Sequence, residues 1–289
     1  MKIQSLLLFL LAVLTTSIVA QEERDAFDKY GPPGEIYTNL KDALKDPKIV
    51  YKLKLEYQTI DPKLQPKITK LTEVQVLQMT ANNLTQLPQE ITSLVNLFYF
   101  ACIGNEITTL PKNFSNFEQL TELKLQSNKL DSLPFEIAYL GRLKTIEIQN
   151  NKADTFYFPN SIGYLKSLDE LLIFNTKLDT LPTSFGEFKK LKSLTLAMCG
   201  LKKVPAEIGK ISSLEALILD NNSLFEIPKQ IYKLKNLRYL SLKSNKIDSL
   251  HDSICMLKKL EVLDIRGNNI PEHDIAILKI LLPKCRILY

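Results

Sequence analysis

The sequence has no tryptophan, only 9 glycines in 289 residues, 4 cysteines and 2 histidines. Each scarcity removes a class of chemistry. The two histidines, His251 and His273, have no cysteine or carboxylate cluster beside them in the sequence, so no metal site is expected. Cys102, Cys199, Cys255 and Cys285 are too widely spaced for a zinc or redox motif. They are expected to be free, buried thiols acting as small hydrophobes. Neither a phosphate-cradling glycine loop nor a nucleophile elbow is present, and no catalytic carboxylates pair up. No cofactor is expected, and the chain does not read as an enzyme. One charge sign is barely in excess. The 37 basic and 32 acidic residues leave a formal charge of +5, dispersed along the chain. Without a basic face or a recognisable module, nucleic acid is not an expected partner.

Long apolar runs are also missing, with one exception. Met1-Lys2 is followed by an almost purely apolar stretch from Leu6 to Leu14, then Ser17-Ile18-Val19-Ala20 and the polar run Gln21-Glu22-Glu23-Arg24. This is the layout of a secretory signal, with cleavage expected after Ala20. The stretch is shorter than the roughly 20 residues of a membrane helix, and no second stretch could span a bilayer. The mature chain is therefore expected to be exported, without a transmembrane segment, as a secreted, periplasmic or cell-surface protein. Residues 21–36, with Gly31-Pro32-Pro33-Gly34, read as a flexible leader.

What the chain has in abundance is leucine in a fixed register. Leu120-x-x-Leu123-x-Leu125-x-x-Asn128-x-Leu130 recurs as Leu237-x-x-Leu240-x-Leu242-x-x-Asn245-x-Ile247. The first position falls at Val74, Leu97, Leu120, Leu143, Leu168, Leu191, Leu214, Leu237 and Leu260, in steps of 23 except for one step of 25. A degenerate copy starts at Val50, which makes ten repeats over residues 50–270. This is the leucine-rich-repeat signature, and the predicted fold is an α/β solenoid horseshoe. A parallel sheet should form its concave face and short helical or 3-10 turns its convex face. Positions four and six alternate along a strand and point inward. Position nine is Asn82, Asn105, Asn128, Asn151, Asn222, Asn245 or Asn268. Its amide both donates and accepts, so stacked copies can satisfy the buried backbone of the turn. Gln58, Thr176 and Cys199 interrupt this ladder, where looseness is expected. The second half, as in Leu87-Pro88-x-x-Ile91-x-x-Leu94, suits a single turn opened by proline. A capping helix is expected within 37–49, centred on Thr38–Asp46, and a terminal helix and strand within 271–289.

These motifs resemble the secreted bacterial leucine-rich-repeat proteins with Leu-Pro-x-x-Ile-x-x-Leu repeats of 23 residues, and Tyr37–Val50 resembles their N-terminal cap. The resemblance covers residues 37–289. It implies a curved recognition solenoid outside the cell or in the envelope, some members being adhesins or host-interaction factors. It implies no fixed ligand.

Binding residues are sought at positions three, five and seven of each strand, which face the open side. Glu170, Leu172, Phe174, Ala197, Ile218, Asp220, Tyr239 and Lys243 are the first candidates: an exposed apolar patch with a polar, partly aromatic edge. A secondary patch is Val76, Tyr99, Ala101 and Ile103, and Lys124, Gln126, Glu147 and Gln149 between the two read as solvated surface. The segment Phe156-Tyr157-Phe158-Pro159, where the two-residue insertion falls, reads as core filling more readily than as a binding lip. Function then reduces to two readings: a non-catalytic module that binds a protein partner, or a structural, adhesive component that binds glycan or matrix.

Overall fold

A computed structural model of the chain describes residues 26–289; the export signal expected over residues 1–20 lies outside them. Every repeat contributes one strand, and the strands stack in sequence order. They are β1 (Ile36–Tyr37), β2 (Lys52–Glu56), β3 (Val76–Thr80), β4 (Tyr99–Ile103), β5 (Glu122–Gln126) and β6 (Thr145–Gln149), followed by β7 (Glu170–Phe174), β8 (Ser193–Ala197), β9 (Ala216–Ile218), β10 (Tyr239–Ser241), β11 (Val262–Asp264) and β12 (Arg286–Leu288). All pair in parallel in one 12-stranded sheet, ordered β1 to β12. The register matches equivalent repeat positions, as in Leu123↔Ile146 and Leu125↔Ile148. Short 3-10 turns, such as Gln89–Ser93 after Pro88 and Phe135–Tyr139 after Pro134, return the chain along the back. The chain is thus an α/β solenoid of the leucine-rich-repeat horseshoe type.

The alternation of each strand sorts its side chains. Leu123, Leu125, Ile146, Ile148, Leu171 and Ile173 are fully buried between the sheet and the turns. One repeat cannot cover this face alone, so each layer depends on its neighbours. The insertion in repeat five is absorbed largely by the core. Phe156 and Phe158 are buried and form an edge-to-face file with Phe185 and Phe188, at centroid spacings of 5.1, 5.2 and 5.4 Å. Tyr157 alone of the three aromatics points out.

Five of the seven ladder asparagines follow one rule. Their Nδ2 atoms donate to the carbonyl 26 residues earlier: Asn105 to Met79, Asn128 to Cys102, Asn222 to Leu196, Asn245 to Leu219 and Asn268 to Leu242, at 2.7–3.1 Å. Asn82 donates instead to Gln58 and Asn151 to Leu130, at 2.9 and 2.6 Å. The Oδ1 atoms of Asn222, Asn245 and Asn268 accept from Leu201, Leu224 and Ile247 in the preceding repeat. Looseness was expected at the exceptions, and the structure corrects this. The Cys199 thiol donates to the Ile173 carbonyl, again 26 residues back, at 3.6 Å. Thr176 Oγ1 accepts from the Asn151 amide at 3.3 Å and donates to the Phe174 carbonyl at 3.1 Å. Gln58 donates to the Thr38 carbonyl of the cap at 2.8 Å. Each of these three side chains thus finds a backbone partner of its own, as buried polar groups generally do.

Position eight shows a constraint that the consensus hides. In all ten repeats it has a positive φ, at Tyr57, Ala81, Gly104, Ser127, Asn150, Asn175, Met198, Asn221, Ser244 and Gly267. The chain must turn sharply off the strand there while its amide still reaches the next strand, as Met198 does to the Asp220 carbonyl at 3.0 Å. Glycine meets that demand without steric cost, yet only two repeats use it. Glycine has a different use on the back. A Cβ on Gly163 would lie 1.8 Å from the Ser184 carbonyl oxygen, and one on Gly209 2.2 Å from that of Gln230. Successive turns approach that closely only where the side chain is absent.

Both ends are closed. The helix expected over Thr38–Asp46 is a single turn, α1 (Leu40–Ala43), because Asn39 caps its start at Asp42 and Pro47 opens a 3-10 turn soon after. At the other end α2 (Glu272–Leu281) lays Ile275 and Leu278 on the last repeat, and β12 pairs with β11.

Candidate binding face

Positions three, five and seven form three rows across the sheet. Row three runs Glu170, Ser193, Ala216, Tyr239, Val262; row five runs Leu172, Thr195, Ile218, Ser241, Asp264. Neighbouring strands lie roughly 4.8 Å apart, so side chains two strands apart meet only if they are long. That rule partitions the first predicted patch. Ala216, Ile218 and Tyr239 form one apolar cluster, with Val262 against it, on the side of the sheet opposite the main core. Leu172 and Ala197 lie outside it, with Thr195 between Leu172 and Ile218. Two expectations are corrected. Leu172, Ala197 and Ile218 are buried rather than exposed, Ile218 to within 1%. Tyr239 is 7% exposed and belongs to the apolar centre, not to its edge. The reason is the packing of a concave face: neighbouring side chains lean on one another, and short residues such as Ala197 and Ala216 disappear beneath longer ones. Glu170, Phe174, Asp220 and Lys243 are half-buried and keep atoms in reach of a partner.

Asp220 is the charged centre of this region. Its Oδ1 accepts from Ser241 Oγ at 2.5 Å and from the Lys243 amide at 3.1 Å. Burial pushes its carboxyl above the ordinary carboxylate range, reinforced by Asp264 and opposed by the Ser241 hydrogen bond and by Lys243. Asp264 is itself buried and held in a two-point grip by Arg266, at 2.9 and 2.5 Å.

Between the patches, the polar side chains are not the solvated surface expected of them. Lys124, Gln126, Glu147 and Gln149 are buried. Glu147 gathers the others: Gln126 donates to it at 2.5 Å, Gln149 donates to the same oxygen, and Lys124 pairs with it at 3.1 Å. Buried polar groups need such partners, and only equal register on β5 and β6 brings these four together.

The secondary patch is covered by the chain itself. Residues 26–29 form a helical turn, and Ala26 and Phe27 are buried in one cluster with Val76, Tyr99 and Ala101. Tyr30 and Ile103 pack at its margin. The leader, expected to be loose, is therefore ordered over this stretch, and Val76, Tyr99 and Ala101 are fully buried rather than exposed. Tyr30 stacks on Phe98, its hydroxyl donates to Glu122 at 2.7 Å and accepts from Thr121 at 2.9 Å, and Lys29 pairs with Glu122. Phe27, Tyr30, Phe98, Thr121 and Glu122 were not among the sequence candidates. The leader's aromatic pair was the signal that could have found them.

Outside this face, the back carries exposed aromatics on adjacent repeats: Phe135, Tyr139, Tyr157 and Tyr164. His251 stands where other repeats have proline, and its Nδ1 accepts from the Ser253 amide at 3.1 Å, capping that turn. Among the described residues no group of three or more histidines, cysteines or carboxylates could hold a metal ion, and no helix is long and apolar enough to cross a membrane. All four cysteines are free thiols, but only Cys102 and Cys199 are buried as expected; Cys255 and Cys285 are half-buried.

Comparison with known proteins agrees with this architecture. The leucine rich repeat family matches residues 212–270. A search of curated proteins gave no match. Among solved structures, a plant peptide hormone receptor in complex with RGF2 is 23% identical with a TM-score of 0.63, covering 78% of this chain and 38% of the receptor. A TDR receptor is 23% identical with a TM-score of 0.65, covering 85% of this chain and 44% of its own. This chain spans less than half the length of either receptor. A leucine-rich-repeat protein of Leptospira interrogans is 22% identical with a TM-score of 0.40, covering 89% of this chain and all of that one. The chain is a leucine-rich-repeat protein by fold, a class of scaffold that is typically non-catalytic.

Proposed function

We propose that this protein is a non-catalytic, protein-binding module, secreted or envelope-exposed, that recognises its partner through the inner face of the sheet at repeats six to nine. The observation that carries the reading is the set of half-buried side chains Glu170, Phe174, Asp220 and Lys243, which keep atoms in reach of a partner around the packed apolar cluster of Ala216, Ile218 and Tyr239 on the side of the sheet away from the core. An apolar centre with a polar rim is the anatomy of a protein interface. Asp220 and Lys243 lie at its edge, and the half-buried Phe174 and Glu170 stand two strands from it on β7. The plant receptor of similar fold, seen with RGF2, supports this use of the scaffold. The apolar stretch Leu6 to Leu14, followed by Ala20 and read from the sequence as an export signal, supports a place outside the cytoplasm.

The test uses the half-buried residues, because substituting buried Ile218 would disturb the fold together with the surface. Full-length protein and the Phe174→Ala, Lys243→Glu double variant are used to capture partners from extracellular and envelope extracts. A partner held by the wild type and lost by a variant with unchanged melting temperature supports the site. Equal capture by both moves the site elsewhere on the solenoid. Binding only on a glycan array would favour the adhesive reading, for which the exposed aromatics of the back are the first surface to vary.

A further inference from the structure

The leader's attachment over repeats two to four has the form of a ligand in a site. No strand pairing ties residues 26–30 to the sheet, and the backbone hydrogen bond of Tyr30 stays within the turn, to Ala26. What holds them is side-chain recognition. Phe27 fills the apolar hollow of Val76, Tyr99 and Ala101. Tyr30 lies flat on Phe98, 5.9 Å between centroids and 5° between planes, with its hydroxyl between Glu122 and Thr121. Lys29 pairs with Glu122 and lies 4.8 Å over the Tyr30 ring. Behind this anchor Pro32, Pro33, Gly34 and Glu35 are exposed and lead into β1, a tether rather than a packed element. An aromatic in a desolvated hollow with a charged clasp beside it is how interfaces concentrate their energy.

We propose that the inner face of repeats two to four is a peptide-binding site, held in cis by the chain's own leader. Its ligand is a short peptide of the leader's chemistry, small–aromatic–x–basic–aromatic, as in Ala26-Phe27-Asp28-Lys29-Tyr30, and such a peptide must displace the leader to bind. The inference deepens the protein-binding reading but concerns a separate stretch of the same face. A short tether gives the leader an effective concentration on the order of millimolar, so a dilute external peptide gains the site only when it binds much more tightly or when the leader is cut.

The experiment places a site-specific protease sequence in the exposed Pro32–Glu35 tether of the full chain and cuts the folded protein. A fluorescent peptide of residues 22–34 is then added and its anisotropy followed. Uncut protein should not bind it; cut protein should bind saturably, at least about tenfold more weakly when the peptide carries Phe27→Ala or Tyr30→Ala or the protein carries Glu122→Lys. A cut leader that co-elutes with the body and exchanges with added peptide supports the proposal equally. A second arm needs no cut: Phe27→Ala, Tyr30→Ala in the full chain should open the site to wild-type peptide. The proposal is overturned if neither form binds the peptide, or if binding ignores these substitutions. Partner capture through Phe174 and Lys243 with no peptide binding here would overturn this inference alone and leave the proposed function standing.

Discussion

At the scale of single residues, two positions work against an ordinary preference. Met198 holds a left-handed backbone with its side chain 44% exposed, so it bears the steric cost of that conformation without much burial in return. Met198→Gly removes the cost while freeing the unfolded chain, and is expected to raise stability by up to about 1 kcal/mol in chemical denaturation. Met198→Val should lower it, because a β-branched residue tolerates positive φ least. Asp220 is the second. Its pKa is raised in the folded state above the ordinary 3.8, mainly by burial. Below the unfolded value both states hold the proton; as pH rises through the folded value the native state must carry a buried charge. The contribution to stability is thus fully present in acid and lost as pH climbs out of the carboxylate range. Asp220→Asn keeps an acceptor for Ser241 and the Lys243 amide, and is expected to shrink the stability difference between about pH 4 and about pH 7. An unchanged pH dependence in thermal melts would place the charge cost elsewhere.

Apart from α2, the elements among the described residues are short turns and strands of two to five residues, too short to be stable alone. Their spacing is set by contact with the next copy. Gly163 shows the tolerance: any Cβ there meets the backbone of the following turn. Gly163→Ala is expected to cost about 1–3 kcal/mol, as overpacking does, whereas Gly141→Ala, with nothing within 4 Å of its Cβ, should be neutral. Equal melting temperatures for the two variants would mean that the turns slide apart freely. The strands were legible in advance, since leucine at positions four and six, asparagine at nine and Leu-Pro-x-x-Ile on the return fix their type and register. The positive φ at position eight was not, because Tyr57, Ala81, Ser127 and Met198 share no chemical property that marks it. Nor could the cap helix be bounded, since one turn and three turns share the same apolar spacing before Pro47.

For the whole molecule, a stack of layers has two ends, and each must be covered. α2 and β12 cover the last repeat, burying Leu278 and pairing the open edge of β11. Removing residues 271–289 is expected to leave an unpaired edge strand and an apolar layer, and therefore oligomers in size-exclusion chromatography. A truncated chain that stays monomeric with unchanged melting would show that the repeats close themselves.

The sequence by itself determined the period, the class of fold and which residues make the core, because those follow from a one-dimensional pattern repeated in register. It also determined which strand positions face away from that core. What only the tertiary structure decided is what those positions meet. Ile218 and Tyr239 join because they lie one strand apart in neighbouring rows, while Leu172 is separated from them by Thr195. Lys124, Gln126, Glu147 and Gln149 become a buried network because β5 and β6 align them. The leader closes on Val76, Tyr99 and Ala101 across a gap of many residues that no local pattern encodes. Contacts between rows, and between a tether and a distant repeat, depend on distances in space, and a periodic sequence specifies only distances along the chain.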